Sequence, residues 1–162
     1  MKRTTFLTAF ASLLALVSLL GCATTNKLQS IDLTANGTSG TVEVKGAGGT
    51  LQLLALGNYS NGSARDLTGK VTYTLTITPG SVDVSGAPLP TPPTGLTVNA
   101  TGQLTAVAPF VCTFHATQQS PPVYVLTGSY TVVASLNGMS SQPMFIPVAS
   151  ATGDGPGGAC GP

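Results

Sequence analysis

The sequence predicts an all-β domain, an antiparallel sandwich of eight or so short strands, and three observations carry that expectation. Residues 71–78 alternate without an error: Val71, Tyr73, Leu75 and Ile77 face one way, and Thr72, Thr74, Thr76 and Thr78 the other. Residues 129–136 repeat the pattern with Tyr130, Val132, Ala134 and Leu136 on the apolar side, and Asn137-Gly138 then supplies the left-handed positions of a tight hairpin turn. Turn residues punctuate the rest, with 20 Gly and 12 Pro among 162 residues, and no segment looks helical. Only 7% of the chain is charged and 42% is hydrophobic, which argues against disorder throughout.

The first 21 residues read as a signal peptide. Lys2 and Arg3 form a positive start, and residues 6–20 are an uncharged apolar run. Fifteen residues of helix cover about 22 Å, short of the ~30 Å hydrocarbon core, so cleavage is expected rather than a permanent span. Leu19-Leu20-Gly21-Cys22 resembles the lipobox of bacterial lipoproteins. That resemblance implies cleavage between Gly21 and Cys22 and acylation of Cys22, with residues 22–27 as lipid anchor and tether. The alternative is an ordinary signal peptide with an incidental cysteine. Several acyl chains on one residue would hold the protein on a bilayer. Ala23, rather than Asp, follows the lipobox cysteine, which by the family's sorting habit implies the outer membrane in a host that has two.

The domain is expected over residues 28–149, with a Gly-rich tail over 150–162. Its strands are predicted at 28–35, 41–44, 50–56, 71–78, 96–99, 103–107, 111–117, 129–136 and 141–148, each an apolar or alternating run bounded by Gly, Asn or Pro. Pro143 and Pro147 each remove a ladder donor, so part of the last strand belongs at an edge or bulge. Residues 79–93, with five prolines, and 118–122 read as loops long enough to carry a binding surface.

From Gly49-Thr50-Leu51-Gln52-Leu53 through Asn58-Tyr59-Ser60-Asn61-Gly62-Ser63 to Arg65-Asp66-Leu67-Thr68 and Val71-Thr72-Tyr73, the order of residues resembles the bacterial immunoglobulin-like group 2 family. The likeness continues in Gly95-Leu96-Thr97-Val98, in residues 102–107 and in Gly128-Ser129-Tyr130-Thr131-Val132-Val133-Ala134. It implies an immunoglobulin-like sandwich of the kind found in bacterial adhesins and envelope proteins. The chain departs from the family in having a single copy, Tyr73 where Trp is common, and an extra strand-like stretch over 108–127. Asn61 stands where family modules often carry Asp, so a calcium site at 58–63 loses its charged ligand and a solvated turn is expected.

Cys112 and Cys160 remain after Cys22, and in an exported chain such a pair is most simply a disulfide, closing a loop of about 48 residues. Little else invites chemistry. Cys112 and His115 have a C-x-x-H spacing, but residues three apart on a strand point to opposite faces. There is no second His for a zinc site and no G-x-S-x-G element, so no enzyme activity, metal or cofactor is expected. Six Lys or Arg in all give no footprint for nucleic acid. Sugar stacking has Tyr59, Tyr124, Phe110 and Phe145 as candidates and no Trp.

The leading expectation is therefore a non-enzymatic lipoprotein of the cell envelope, held on the membrane through Cys22 and displaying one immunoglobulin-like domain to a protein or glycan partner. Two others stand beside it: a structural accessory of an envelope assembly with no external ligand, and a hydrolytic enzyme or enzyme inhibitor. Fold alone does not choose among them.

Overall fold

The computed structural model describes residues 26–36, 42–116, 119–121 and 123–150, and among these it contains strands and no helix. Thirteen strands follow in order: β1 (Leu28–Ala35), β2 (Val44–Lys45), β3 (Thr50–Tyr59), β4 (Ala64–Asp66), β5 (Thr72–Ile77), β6 (Leu96–Val98), β7 (Gln103–Ala106), β8 (Phe114–Ala116), β9 (Tyr124–Leu126), β10 (Tyr130–Leu136), β11 (Met139–Ser140), β12 (Met144–Ile146) and β13 (Val148–Ala149).

One sheet runs β1-β3-β7-β6, with β4 beside the far end of β3; in the other, β10 lies between β5 on one side and β11 and β12 on the other. Setting aside the short extras, this is the A-B-E-D and C-F-G order of a constant-type immunoglobulin sandwich. β2 and β13 form a short parallel pair, Val44 opposite Val148. The ribbon β8–β9 is inserted between the E-like β7 and the F-like β10.

Alternation decides which face is buried. On β10, Tyr130, Val132 and Ala134 are fully buried, while Thr131 and Val133 between them are partly exposed. On β5, Thr72, Thr74 and Thr76 face out, and Tyr73, Leu75 and Ile77 pack on the core. The interior has two clusters: one around Leu53, Leu96, Leu104, Tyr130 and Ile146, the other around Ile31, Ala55, Leu67, Val71 and Ala134. The Asn137-Gly138 turn has φ of 50° and 80°, the left-handed pair that a two-residue hairpin needs.

Several elements differ from the expectation. The strand predicted over 50–56 continues to Tyr59 through Gly57, because a Cβ at Gly57 would lie 2.4 Å from a Leu67 methyl; this glycine makes room for packing rather than a turn. β4 gave no alternating signal, since all three of its residues are exposed. The predicted 141–148 strand divides at its prolines: β12 lies between Pro143 and Pro147 on the outer side of β10, and β13 turns to pair with β2. Of the predicted 41–44 strand only Val44 is in β2, and residue 41 lies outside the described residues. Of 111–117, Phe114–Ala116 forms β8, residues 111–113 lie outside any strand, and residue 117 lies outside the described residues.

Candidate interaction surface

The register gives the sandwich two ends. Leu28 pairs with Tyr59 at one end of the first sheet and Ala35 with Leu53 toward the other, so the chain enters beside the Tyr59 end of β3. Lys27 is tied there, its N–H donating to Ser60 Oγ at 3.1 Å and its carbonyl accepting from the Ser60 N–H at 2.9 Å. We call this end the tether pole. β5 and β7 both run away from it, and Ile77 and Ala106 deliver the chain to the opposite, distal pole. Ten residues of β3 separate the two by about 33 Å. The connections over 78–95 and 107–129 therefore both emerge at the distal pole, where sequence alone left them as unrelated loops.

These connections are hydrogen-bonded to each other. Val82 N–H donates to Thr127 O (3.2 Å), Val84 N–H to Cys112 O (2.9 Å), and Ser129 N–H to Ser81 Oγ (3.0 Å). A Cβ at Gly128 would fall 2.6 Å from Val82 O, so only glycine permits this approach. Leu89 is buried in the core, and the fully buried Tyr130 donates its hydroxyl to Pro90 O at 3.1 Å. Burial pushes the Tyr130 phenol up to about 12. Within the first connection, Asp83 Oδ1 accepts from Ser85 N–H, Ser85 Oγ–H and Ala87 N–H. The Ser85 hydroxyl is the main reason that this carboxylate sits below its ordinary pKa, and burial works the other way.

The second connection carries the ribbon. Its root is pinned at Thr113, which is fully buried: its N–H donates to Val148 O, its Oγ1 accepts from Val148 N–H, and its carbonyl accepts from both Thr127 N–H and Thr127 Oγ1. From there Phe114 pairs with Leu126 and Ala116 with Tyr124. The Phe114 and Tyr124 rings stack, 5.4 Å between centroids and 1° between planes. Among the described residues the exposed large hydrophobics are Phe110, Val123, Tyr124, Leu126 and Phe145, and four of these five fall between 110 and 126. No Asp, Glu, Lys or Arg occurs anywhere from 84 to 150. The nearest charges at this pole are spoken for: Glu43 and Lys45 pair at 3.0 Å, and Asp83 caps its own turn.

Of the residues singled out from sequence, Gly21, Cys22 and Cys160 lie outside the described residues. Cys112 is 7% exposed at the root of the ribbon. His115 is in β8 opposite Val125. Among the described residues no three His, Cys, Asp or Glu side chains gather as a metal set. In the 58–63 turn, Asn61 Oδ1 accepts from Ser63 N–H and Oγ–H, and the Asn58 amide donates to Ser30 Oγ and Asp32 Oδ2. The stacking candidates separate. Tyr124 and Phe110 are on the distal pole, Phe145 is exposed on β12, and Tyr59 lies under the Arg65 guanidinium at 4.8 Å. Phe114 and Leu126 were not anticipated; their signal was an apolar segment on each side of Gln118-Gln119-Ser120-Pro121-Pro122, which reads as a hairpin once both arms are placed together.

No protein-family model matches the chain, and no curated protein matches it.

Proposed function

We propose that this protein is a non-enzymatic lipoprotein of the cell envelope, an immunoglobulin-like module anchored through Cys22 that binds a protein or glycan partner with its distal pole. One observation carries the reading: the strand nearest the lipobox begins at the pole opposite the uncharged, apolar ribbon. Leu28 is six steps along the chain from Cys22, a reach of at most about 20 Å, so an acylated Cys22 would keep the tether pole at the bilayer and turn the ribbon away from it. The likeness to the bacterial immunoglobulin-like group 2 family belongs to the same proposal, as do an outer-membrane location and a Cys112–Cys160 disulfide. An interface core depleted of charge and enriched in aromatic residues is the composition that partner-binding surfaces favour.

The test is metabolic labelling with a radioactive fatty acid followed by protease shaving of intact cells. Wild type should take up label and Cys22→Ala should not; equal labelling of both would remove the anchor. If the domain is cut while an internal envelope control survives, the distal pole meets external partners; protection until the envelope is breached would withdraw the adhesive role.

A further inference from the structure

We propose that the partner of the β8–β9 face is a second copy of this chain. The inference rests on the distal pole being the binding surface, and names its occupant. Tyr124 and Leu126 are two residues apart and share one side of β9; Phe114 lies directly across from Leu126 and stacks on Tyr124. Leu126 and Tyr124 are 52% and 42% exposed, so the face offers aliphatic as well as aromatic area to solvent. Exposed ribbons are ordinarily guarded by Lys or Glu, which block adventitious pairing. Here there is no such guard, because the whole of 84–150 lacks charged side chains of either sign.

Charge then selects among occupants. About a quarter of the residues of an average protein are charged, and such residues brought against this face would be desolvated without a counter-charge. A neutral sugar avoids that cost but needs convergent polar groups around a free ring face. Half-exposed Leu126 provides none, and Phe114 and Tyr124 each spend one ring face on the other. A copy of the same face brings matching apolar area and no charge. In a two-fold contact every residue of the patch counts twice.

The experiment uses the full-length protein in bacterial cells, with a photo-crosslinking phenylalanine analogue at position 124 and, as control, at position 61 in the tether-pole turn. The expected result is an adduct of twice the monomer mass from position 124 and none from position 61. Mass spectrometry of the adduct should return only this chain. Leu126→Asp should lower the yield at least about tenfold, since the two-fold contact sets the new carboxylates against apolar surface and each other. Leu126→Asn is the second variant should Leu126→Asp fail to reach the folded state in thermal unfolding. An adduct to another polypeptide, a heterogeneous glycan smear, equal adducts from both positions, no adduct, or a twice-mass adduct undiminished in a folded variant would each overturn the proposal. Crosslinking does not depend on the acyl group, so failure here is separate from failure of the fatty-acid label.

Discussion

The two poles are closed by the same kind of backbone turn and differ in what has been added to it. Asn99–Gln103 joins β6 to β7 on the side facing the tether pole: Asn99 N–H donates to Gln103 O, Gly102 adopts φ of 76°, and Asn99 Oδ1 accepts from Thr101 N–H, Thr101 Oγ1–H and Gln103 N–H. Residues 83–87 at the distal pole repeat every one of those features, with Asp83 for Asn99, Ser85 for Thr101 and Gly86 at φ 86°. Toward the tether pole such a turn simply completes a hairpin. At the distal pole it lies within a long connection that is bonded to a second one. Ordering each of those residues costs about 1–2 kcal/mol of backbone entropy, which the bonds between the connections and the burial of Leu89 help to offset. A fold that needed only to close its hairpins would not carry them.

The charges divide the same way. Lys27, Asp32, Arg65, Asp66 and Lys70 all belong to segments at or near the tether pole, and Arg65 covers Tyr59 there. Among the described residues the distal pole has only the Glu43–Lys45 pair and Asp83. One end thus presents charged groups, the other a surface nearly without them.

Removing the anchor of the distal pole should have the largest effect. Tyr130 fills the core and holds the 78–95 connection through Pro90, and Gly95 leaves room for its hydroxyl. Tyr130→Ala should cost about 3–5 kcal/mol in urea unfolding, as deletion of a buried aromatic side chain does. Tyr130→Phe should cost only about 1 kcal/mol, the lost bond to Pro90 O. A Tyr130→Phe protein as stable as wild type would mean that this bond does not secure the connection.

The same residue gives an alkaline signature. Folded Tyr130 keeps its proton up to about pH 12, whereas in the unfolded chain it titrates near 10. Between those values the folded state binds more protons than the unfolded one, so stability falls as pH rises, by about 2–3 kcal/mol over the interval. Tyr130→Phe should flatten that limb. Equal slopes in the two proteins would show that the phenol is not the group responsible.

Gly128→Ala tests the contact between the two distal connections. Its methyl would meet Val82 O and Val82 N, backbone atoms that move only if the whole connection shifts. A cost of about 1–3 kcal/mol is expected, with faster amide exchange over 79–93 and unchanged exchange at Asn99–Gln103. Uniform acceleration over the molecule would count against independent behaviour of the poles.

What the sequence disclosed follows from where alternation survives. β5 and β10 bury one face and expose the other, so their side was legible residue by residue, as was the hairpin at Asn137-Gly138. β4 was invisible because both its faces are wet, and the continuation of β3 was hidden because Gly57 serves a packing need that looks like a turn. Residues 79–93 and 108–127 were recognisable as interruptions. Their convergence was not, since it depends on the direction of β5 and β7 through the sandwich, and register is a pairing between distant segments. The pairing of Phe114 with Leu126 was hidden for the same reason.

The smallest effect gives the sharpest contrast, because the residue that accepts the bonds is charged in one turn, Asp83, and neutral in the other, Asn99. Serine bonding holds the Asp83 carboxylate below its ordinary pKa, so its contribution is present above the unfolded value near 4 and is lost as pH falls through the lower, folded value. Asp66, held down mainly by Thr68, titrates in the same window and belongs to the tether half. Asp83→Asn gives the distal turn the same neutral acceptor that Asn99 supplies in the other. It should leave stability at pH 7 within about 0.5 kcal/mol of wild type and remove one share of the acid-induced loss, leaving the share due to Asp66. Asp83→Ala, which abolishes the three accepted bonds, should cost about 1 kcal/mol at pH 7, and Asn99→Ala a similar amount at any pH. If Asn99→Ala were silent while Asp83→Ala was not, the likeness of the two turns would be one of shape only, and the distal pole would owe its order to the charge.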